Sequence, residues 1–176
     1  MYLVSIYFDE KTNQRIRGMI KQVAEKSGNT FMIDGNVPPH ITISAFETMN
    51  ETAVVAALEE AVCGLQTGTL QWASVGQFFP YVIYSAPVLN EYLHDMSVQI
   101  YNSLKSLDGV KISPYYRPFQ WLPHTTIGKK LSEKEMKIAF EVMQNNFGMF
   151  SGQVVKIGLA KTNPYREVVN WELIES

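Results

Sequence analysis

PPHITI at residues 38–43 and LPHTTI at residues 122–127 are nearly the same hexapeptide, and they hold two of the chain's three histidines. In each copy a proline precedes the histidine, one residue separates it from a threonine, and an isoleucine follows. In a β-strand alternate side chains share a face, so His40 and Thr42 point one way, about 6.5–7 Å apart along the backbone, while Ile41 and Ile43 point the other. His124 and Thr126 repeat the arrangement. Pro39 and Pro123 fall where a strand begins, a position that tolerates a missing N–H.

The segments around the two copies repeat as well. YLVSIYF (2–8) reads as a strand, and Asp9 caps a helix over 10–27 that carries Ile16, Met19, Ile20 and Val23 at helical spacing and closes at Gly28. A loop, NTFMIDGNVPP, leads to the strand HITISAF (40–46). Asn50 caps a second helix bearing Val54, Val55, Leu58 and Val62, and a strand follows near 69–78. Asn50-Glu51-Thr52 also matches a glycosylation sequon, but capping is the better account of Asn50. The order then starts again. YVIYSAPV (81–88) is a strand, Asn90 opens a helix to about Leu107, and the irregular stretch DGVKISPYYRPFQWLP leads to the strand HTTIGKKL (124–131). Ser132 and Glu135 form a capping box for the next helix. GQVVKIGLAKT (152–162), a turn at Asn163-Pro164 and VVNWELI (168–174) complete the chain. Each half runs strand, helix, His-strand, helix, strand. This predicts a duplicated α+β unit with pseudo-twofold symmetry, and no hinge-like linker divides it. The expected body spans residues 1–176, with lobe-forming halves of approximately 1–80 and 81–176.

Composition narrows the function classes. The 176 residues are 46% apolar and 18% charged, as in an ordinary globular protein. A net charge of −2 and a pI near 5.9 argue against a surface that coats nucleic acid, though they permit a local basic pocket for one or two phosphates. The first apolar run is too short for a signal peptide or a membrane span, so no membrane partner is expected. A single cysteine, Cys63, excludes an internal disulfide framework and fits a reducing, cytoplasmic setting. Its place in AVVAALEEAVCGL predicts a buried helix position. With three histidines and no His-Glu-x-x-His or cysteine-pair spacing, no metal site and no cofactor are expected.

Two imidazoles and two hydroxyls in one cleft suit the opening of a cyclic phosphodiester. That reaction needs a base to take a proton from water and an acid to protonate the departing oxygen. Imidazole serves either role near neutrality. The hydroxyls can donate to non-bridging phosphoryl oxygens as negative charge builds there. A lone His-x-Thr is more often a strand-edge histidine beside a β-favouring threonine. Two copies at matching places in a repeated order favour the catalytic reading for His40, Thr42, His124 and Thr126. His94, in NEYLHDM, lacks that context and reads as a solvated helical residue.

On these residues the chain resembles the two-histidine (2H) phosphoesterase superfamily, which includes 2′-5′ RNA ligase-like proteins and cyclic phosphodiesterases. HITISAF resembles the family's first His-hydrophobic-Thr-hydrophobic strand in full, with Phe46 as its aromatic. PHTTIGKK matches at His124, Thr126 and Ile127 but has Thr125 where an apolar residue is usual. The resemblance implies a bilobal α+β fold, two antiparallel sheets flanking a central cleft, helices outside. It also implies hydrolysis or ligation of 2′,3′-cyclic or 2′-5′ phosphodiesters in small nucleotides or at RNA ends, and a monomer is expected separately. A non-catalytic binder of nucleotide or RNA ends on the same scaffold is the alternative, and transfer to an acyl ester a weaker one.

Further candidates surround the pair. Period two carried past His124 puts Lys130 on the catalytic face and Lys129 on the other. Tyr115, Tyr116 and Arg117, in the loop before His124, could stack on a base or meet a phosphate. Phe119 and Trp121 read equally well as loop-packing residues, and Tyr165 and Arg166 stand in the last hairpin turn as weaker candidates. His124 as base and His40 as acid is one assignment, but the residues themselves do not separate the roles.

Overall fold

Capping side chains mark the start of four helices in the computed structural model, which describes residues 1–175. Asp9 accepts from Thr12 N ahead of α1 (Glu10–Ser27), Asn50 from Ala53 N ahead of α3 (Glu51–Val62), and Asn90 from Leu93 N ahead of α4 (Glu91–Lys105). The Ser132–Glu135 box forms in full ahead of α5 (Glu133–Asn146). Each cap satisfies an N–H that the first turn leaves without a helical partner. Gly28 ends α1 at φ 81°, the left-handed conformation that a residue without Cβ adopts at no steric cost. The loop expected before the first His-strand contains one short helix, α2 (Phe31–Asp34), too short to show a period in sequence.

The strands are β1 (Tyr2–Phe8), β2 (His40–Glu47), β3 (Gly68–Phe78), β4 (Val82–Pro87), β5 (Lys111–Ile112), β6 (Thr125–Gly128), β7 (Phe150–Lys161) and β8 (Arg166–Glu172). They pair antiparallel in the order β5–β2–β1–β7–β3–β4–β6, with β8 also on β7. The fold is thus α+β, but the two expected sheets are one continuous sheet. The cause is the length of β7: its first residues pair with β3 and the rest with β1 and β8. Leaving out β5 and β8, the order reads the same from either end under the duplication. β2 corresponds to β6, β1 to β4 and β7 to β3, about an axis between the central pair.

The halves interleave rather than forming separate lobes at residue 80. β3 and β4, on either side of that point, are hydrogen-bonded neighbours. Helix α1 packs on α5 and on β6, the His-strand of the other half. Helix α4 reciprocates on α3 and β2. Ile41, Ile43 and Ile127 bury the face opposite the motif residues in one hydrophobic cluster with Ile16, Leu58, Leu93 and Met136 from the four helices. Although they lie far apart in the sheet order, β2 and β6 touch, so the sheet curls until its two motif strands meet.

Two local expectations are corrected. Cys63 is exposed, because α3 ends at Val62 and the backbone turns extended at Cys63 (φ −58°, ψ 122°), taking its side chain off the buried face. The second His-strand is shorter than 124–131 and stops at Gly128, where a Cβ would come within 3.0 Å of Ile83 and Leu131. No helix among the described residues is long and apolar enough to cross a membrane.

Candidate active site

His40 and His124 are held by the same device. Nδ1 of His40 lies 2.8 Å from the Pro38 carbonyl, and Nδ1 of His124 lies 2.9 Å from the Leu122 carbonyl, each two residues earlier in the chain. A carbonyl oxygen can only accept, so Nδ1 carries the hydrogen in both rings and Nε2 is left to exchange protons. Both rings are half-buried. Burial lowers the pKa of each, opposed by the carbonyl. His40 is lowered further by the charges of His124 and Lys129, so each of those two groups acts electrostatically on His40.

His40, Thr126 and Lys129 line one cavity of about 330 Å³, floored by Ser5 and Tyr7 of β1. A larger cavity of about 710 Å³ lies between the β3–β4 turn and α5 and holds none of the motif residues. Tyr7 pairs with His40 across the β1–β2 ladder, with ring centroids 6.1 Å apart. Burial, the neighbouring Tyr165 and Glu167 push the Tyr7 hydroxyl far above its ordinary pKa, so it stays neutral. His124 is set instead among rings. Phe78 meets it edge-on at 4.7 Å and Tyr84 lies at 5.4 Å. Thr42 is buried, and Tyr116 brings its hydroxyl against the Thr42 side chain.

The lysines after the second motif exchange the places expected for them. β6 ends before either one, so period two no longer applies, and Lys130 takes a positive φ of 56°. Its side chain is not among those lining the cleft and sets Nζ 4.5 Å over the Phe31 ring, while Lys129 lines the cleft. Of the loop candidates, Tyr116 reaches the site through Thr42. Tyr115 is 79% exposed and Arg117 is also exposed, and neither lines the cleft. Trp121 packs half-buried with its indole N–H on the Thr42 carbonyl. Phe119 stands in solvent against the His94 ring, with centroids 4.2 Å apart. Tyr165 lines the cleft, whereas Arg166 turns away to Glu51 at 2.6 Å. Sequence reasoning missed Tyr7, Phe31, Phe78 and Tyr84. For Tyr7 a signal existed, since a β1–β2 pairing in register sets a β1 side chain beside His40.

Among the described residues, no cluster of three or more His, Cys, Asp or Glu side chains could hold a metal ion. Two imidazoles held alike through Nδ1, each followed at the second position by a threonine hydroxyl, are groups capable of acid–base chemistry. The family model described as the 2′-5′ RNA ligase superfamily matches residues 10–166, and the chain belongs to that family of phosphoesterases. No curated protein matches it significantly. Solved structures show the same fold at low identity. A Thermus thermophilus protein superimposes with a TM-score of 0.64 at 13% identity, over 99% of this chain and 98% of that one. A structure described as a phosphoesterase gives 0.60 at 14%, over 98% and 97%. Escherichia coli LigT bound to 3′-AMP gives 0.59 at 16%, over 98% and 97%.

Proposed function

We propose that the protein is a metal-independent phosphodiesterase that opens 2′,3′-cyclic or 2′-5′ phosphodiesters in small nucleotides or at RNA ends, with His40 and His124 as the proton-transfer pair. The observation that carries this reading is the repeated Nδ1-to-carbonyl geometry. It leaves Nε2 of each ring as the nitrogen free to exchange a proton, and His124 acts electrostatically on His40. LigT, which shares the fold, has been solved with 3′-AMP, ATP and NADP+, so nucleotides are the ligands to try first.

Local charge orients the roles. Lys129 lines the cleft with His40 and disfavours a proton there, so we assign His40 as the base and His124 as the acid, the reverse of the assignment considered from sequence. His40 Nε2 takes a proton from water as the water oxygen bonds to phosphorus. The bond from phosphorus to one ribose oxygen breaks, and that oxygen receives the Nε2 proton of His124. Thr42 and Thr126 donate to the non-bridging oxygens, and the Lys129 ammonium offsets the charge gathering on them. A cyclic mononucleotide gives a nucleoside monophosphate, a 2′-5′ dinucleotide gives a nucleoside monophosphate and a nucleoside, and a cyclic RNA end gives a terminal phosphomonoester. Proton exchange with water resets both rings.

The test is incubation with 2′,3′-cyclic mononucleotides and 2′-5′ dinucleotides in buffer containing EDTA, with chromatography of the products. Conversion abolished in His40→Ala and His124→Ala supports the reading. Binding without conversion by the intact protein overturns it in favour of a nucleotide-end binder.

A further inference from the structure

Helix α2 contributes no fully buried residue, and only Met32 is packed half-buried against the core, yet the helix walls the cleft with Phe31 and Met32. What ties it down is the turn after β6. Asn29 donates its side-chain amide to the Lys130 carbonyl at 3.2 Å, and the same side chain accepts from Phe31 N at 3.2 Å. Lys130 Nζ then covers one face of the Phe31 ring at 4.5 Å. An ammonium over a phenyl face is attractive by about 0.5–1 kcal/mol at exposed sites, enough to bias the ring of an otherwise weakly anchored helix. Phe31 is left 37% exposed, lining a cleft whose other rim carries Tyr165.

We infer that the arm of the cleft between α2 and the β7–β8 turn is a nucleobase site, in which Phe31 is the stacking surface and Lys130 the positioning residue that holds it. The identity of the ligand rests on the phosphodiesterase reading. The site itself rests on the wall, the strap and the size of the space. About 330 Å³ is at the small end of ligand cavities, which run roughly 300–1,000 Å³. It admits one nucleoside beside a phosphate at Lys129, not a folded strand. Stacking on a ring reads the π-face that every base has, so the arm accepts any base and selects a nucleotide over a bare sugar phosphate.

The experiment compares adenosine 2′,3′-cyclic phosphate with ribose 2′,3′-cyclic phosphate, which lacks the base, and measures 3′-AMP binding by calorimetry. In Phe31→Ala the ratio of kcat/KM between the two cyclic phosphates falls about tenfold, as for the loss of one base–aromatic stack, and 3′-AMP binding weakens alike. Phe31→Tyr keeps the ratio. Lys130→Met lowers it, Lys130→Arg restores it, and adding Lys130→Met to Phe31→Ala produces no further loss. A ratio insensitive to Phe31 in a protein that turns over both compounds overturns the base site and leaves the phosphodiesterase reading standing. Binding of 3′-AMP that depends on Phe31, in a protein that converts neither compound, supports the base site and removes the phosphodiesterase reading.

Discussion

Trp72 donates its indole N–H to the Thr125 hydroxyl across 3.1 Å, and both residues are at most 1% exposed. Thr125 is the residue at which the second motif departs from an apolar position, and this bond is the reason a hydroxyl stands there. Trp72 also stacks on Phe150 at 4.9 Å and takes the edge of Phe8 at 5.0 Å, so its indole cannot turn toward another partner without breaking the core. Thr125→Val conserves shape and strands the N–H. It should cost about 1–3 kcal/mol in urea unfolding. A midpoint equal to that of the parent protein would show that the bond contributes nothing.

On the proposed mechanism, removing either imidazole removes a proton carrier that the other cannot replace. His40→Ala and His124→Ala should each lower kcat by about 10²–10⁴-fold on 2′,3′-cyclic nucleotides, with thermal unfolding of the variants followed as a control. Parent-level turnover in both would leave the cleft without a reaction centre.

Both imidazoles are pushed below the ordinary value of 6.5. The profile of kcat/KM against pH should therefore be bell-shaped, its rising limb reporting a neutral His40 and its falling limb a protonated His124, with the maximum on the acid side of neutrality. Taking the positive charge from position 129 lifts the His40 pKa. Lys129→Met should accordingly shift the rising limb to higher pH while lowering the maximum. A limb that stays in place would separate Lys129 from His40.

The same shifts affect the stability of the fold. Where the folded pKa is the lower one, the unfolded chain binds more protons, so stability falls as pH drops through about 6.5 toward the folded values. Glu51, Glu133 and Glu135, held below the usual carboxylate value of 4.5 by their hydrogen-bond partners, add losses only further down. Urea midpoints compared between about pH 7.5 and pH 5.5 isolate the histidines in that window. The double variant His40→Asn/His124→Asn should lose less over that interval than the parent protein, and equal losses would contradict the burial of the rings.

The caps and the motif strands were legible because each depends on neighbours in the chain. Asp9, Asn50, Asn90 and Ser132 announce their helices in sequence, and the two His-x-Thr strands carry their own period. Lys129 and Lys130 were misplaced because alternation holds only while a strand lasts, and β6 ends at Gly128, before either lysine. Phe31 escaped notice, and Tyr165 ranked only as a weaker candidate, for a related reason. A four-residue helix and a hairpin turn have no period, and what brings them to the cleft is the strap to Lys130 and the branching of β7. The joining of the sheets was hidden in the same way, since nothing in twelve residues of β7 shows that it has three partners.

The exchange of α1 and α4 bears on how such a molecule could have arisen. One copy of the repeated unit owns a single imidazole and a helix that shelters a strand it does not itself possess. On the proposed mechanism it would alone be half wet and catalytically mute, and only in the arms of an identical twin would it find both a roof and a second proton carrier. Fusing two such copies head to tail turns an encounter at the mercy of concentration into a permanent one, and it frees the two sides to diverge, one toward lysine and the other toward rings.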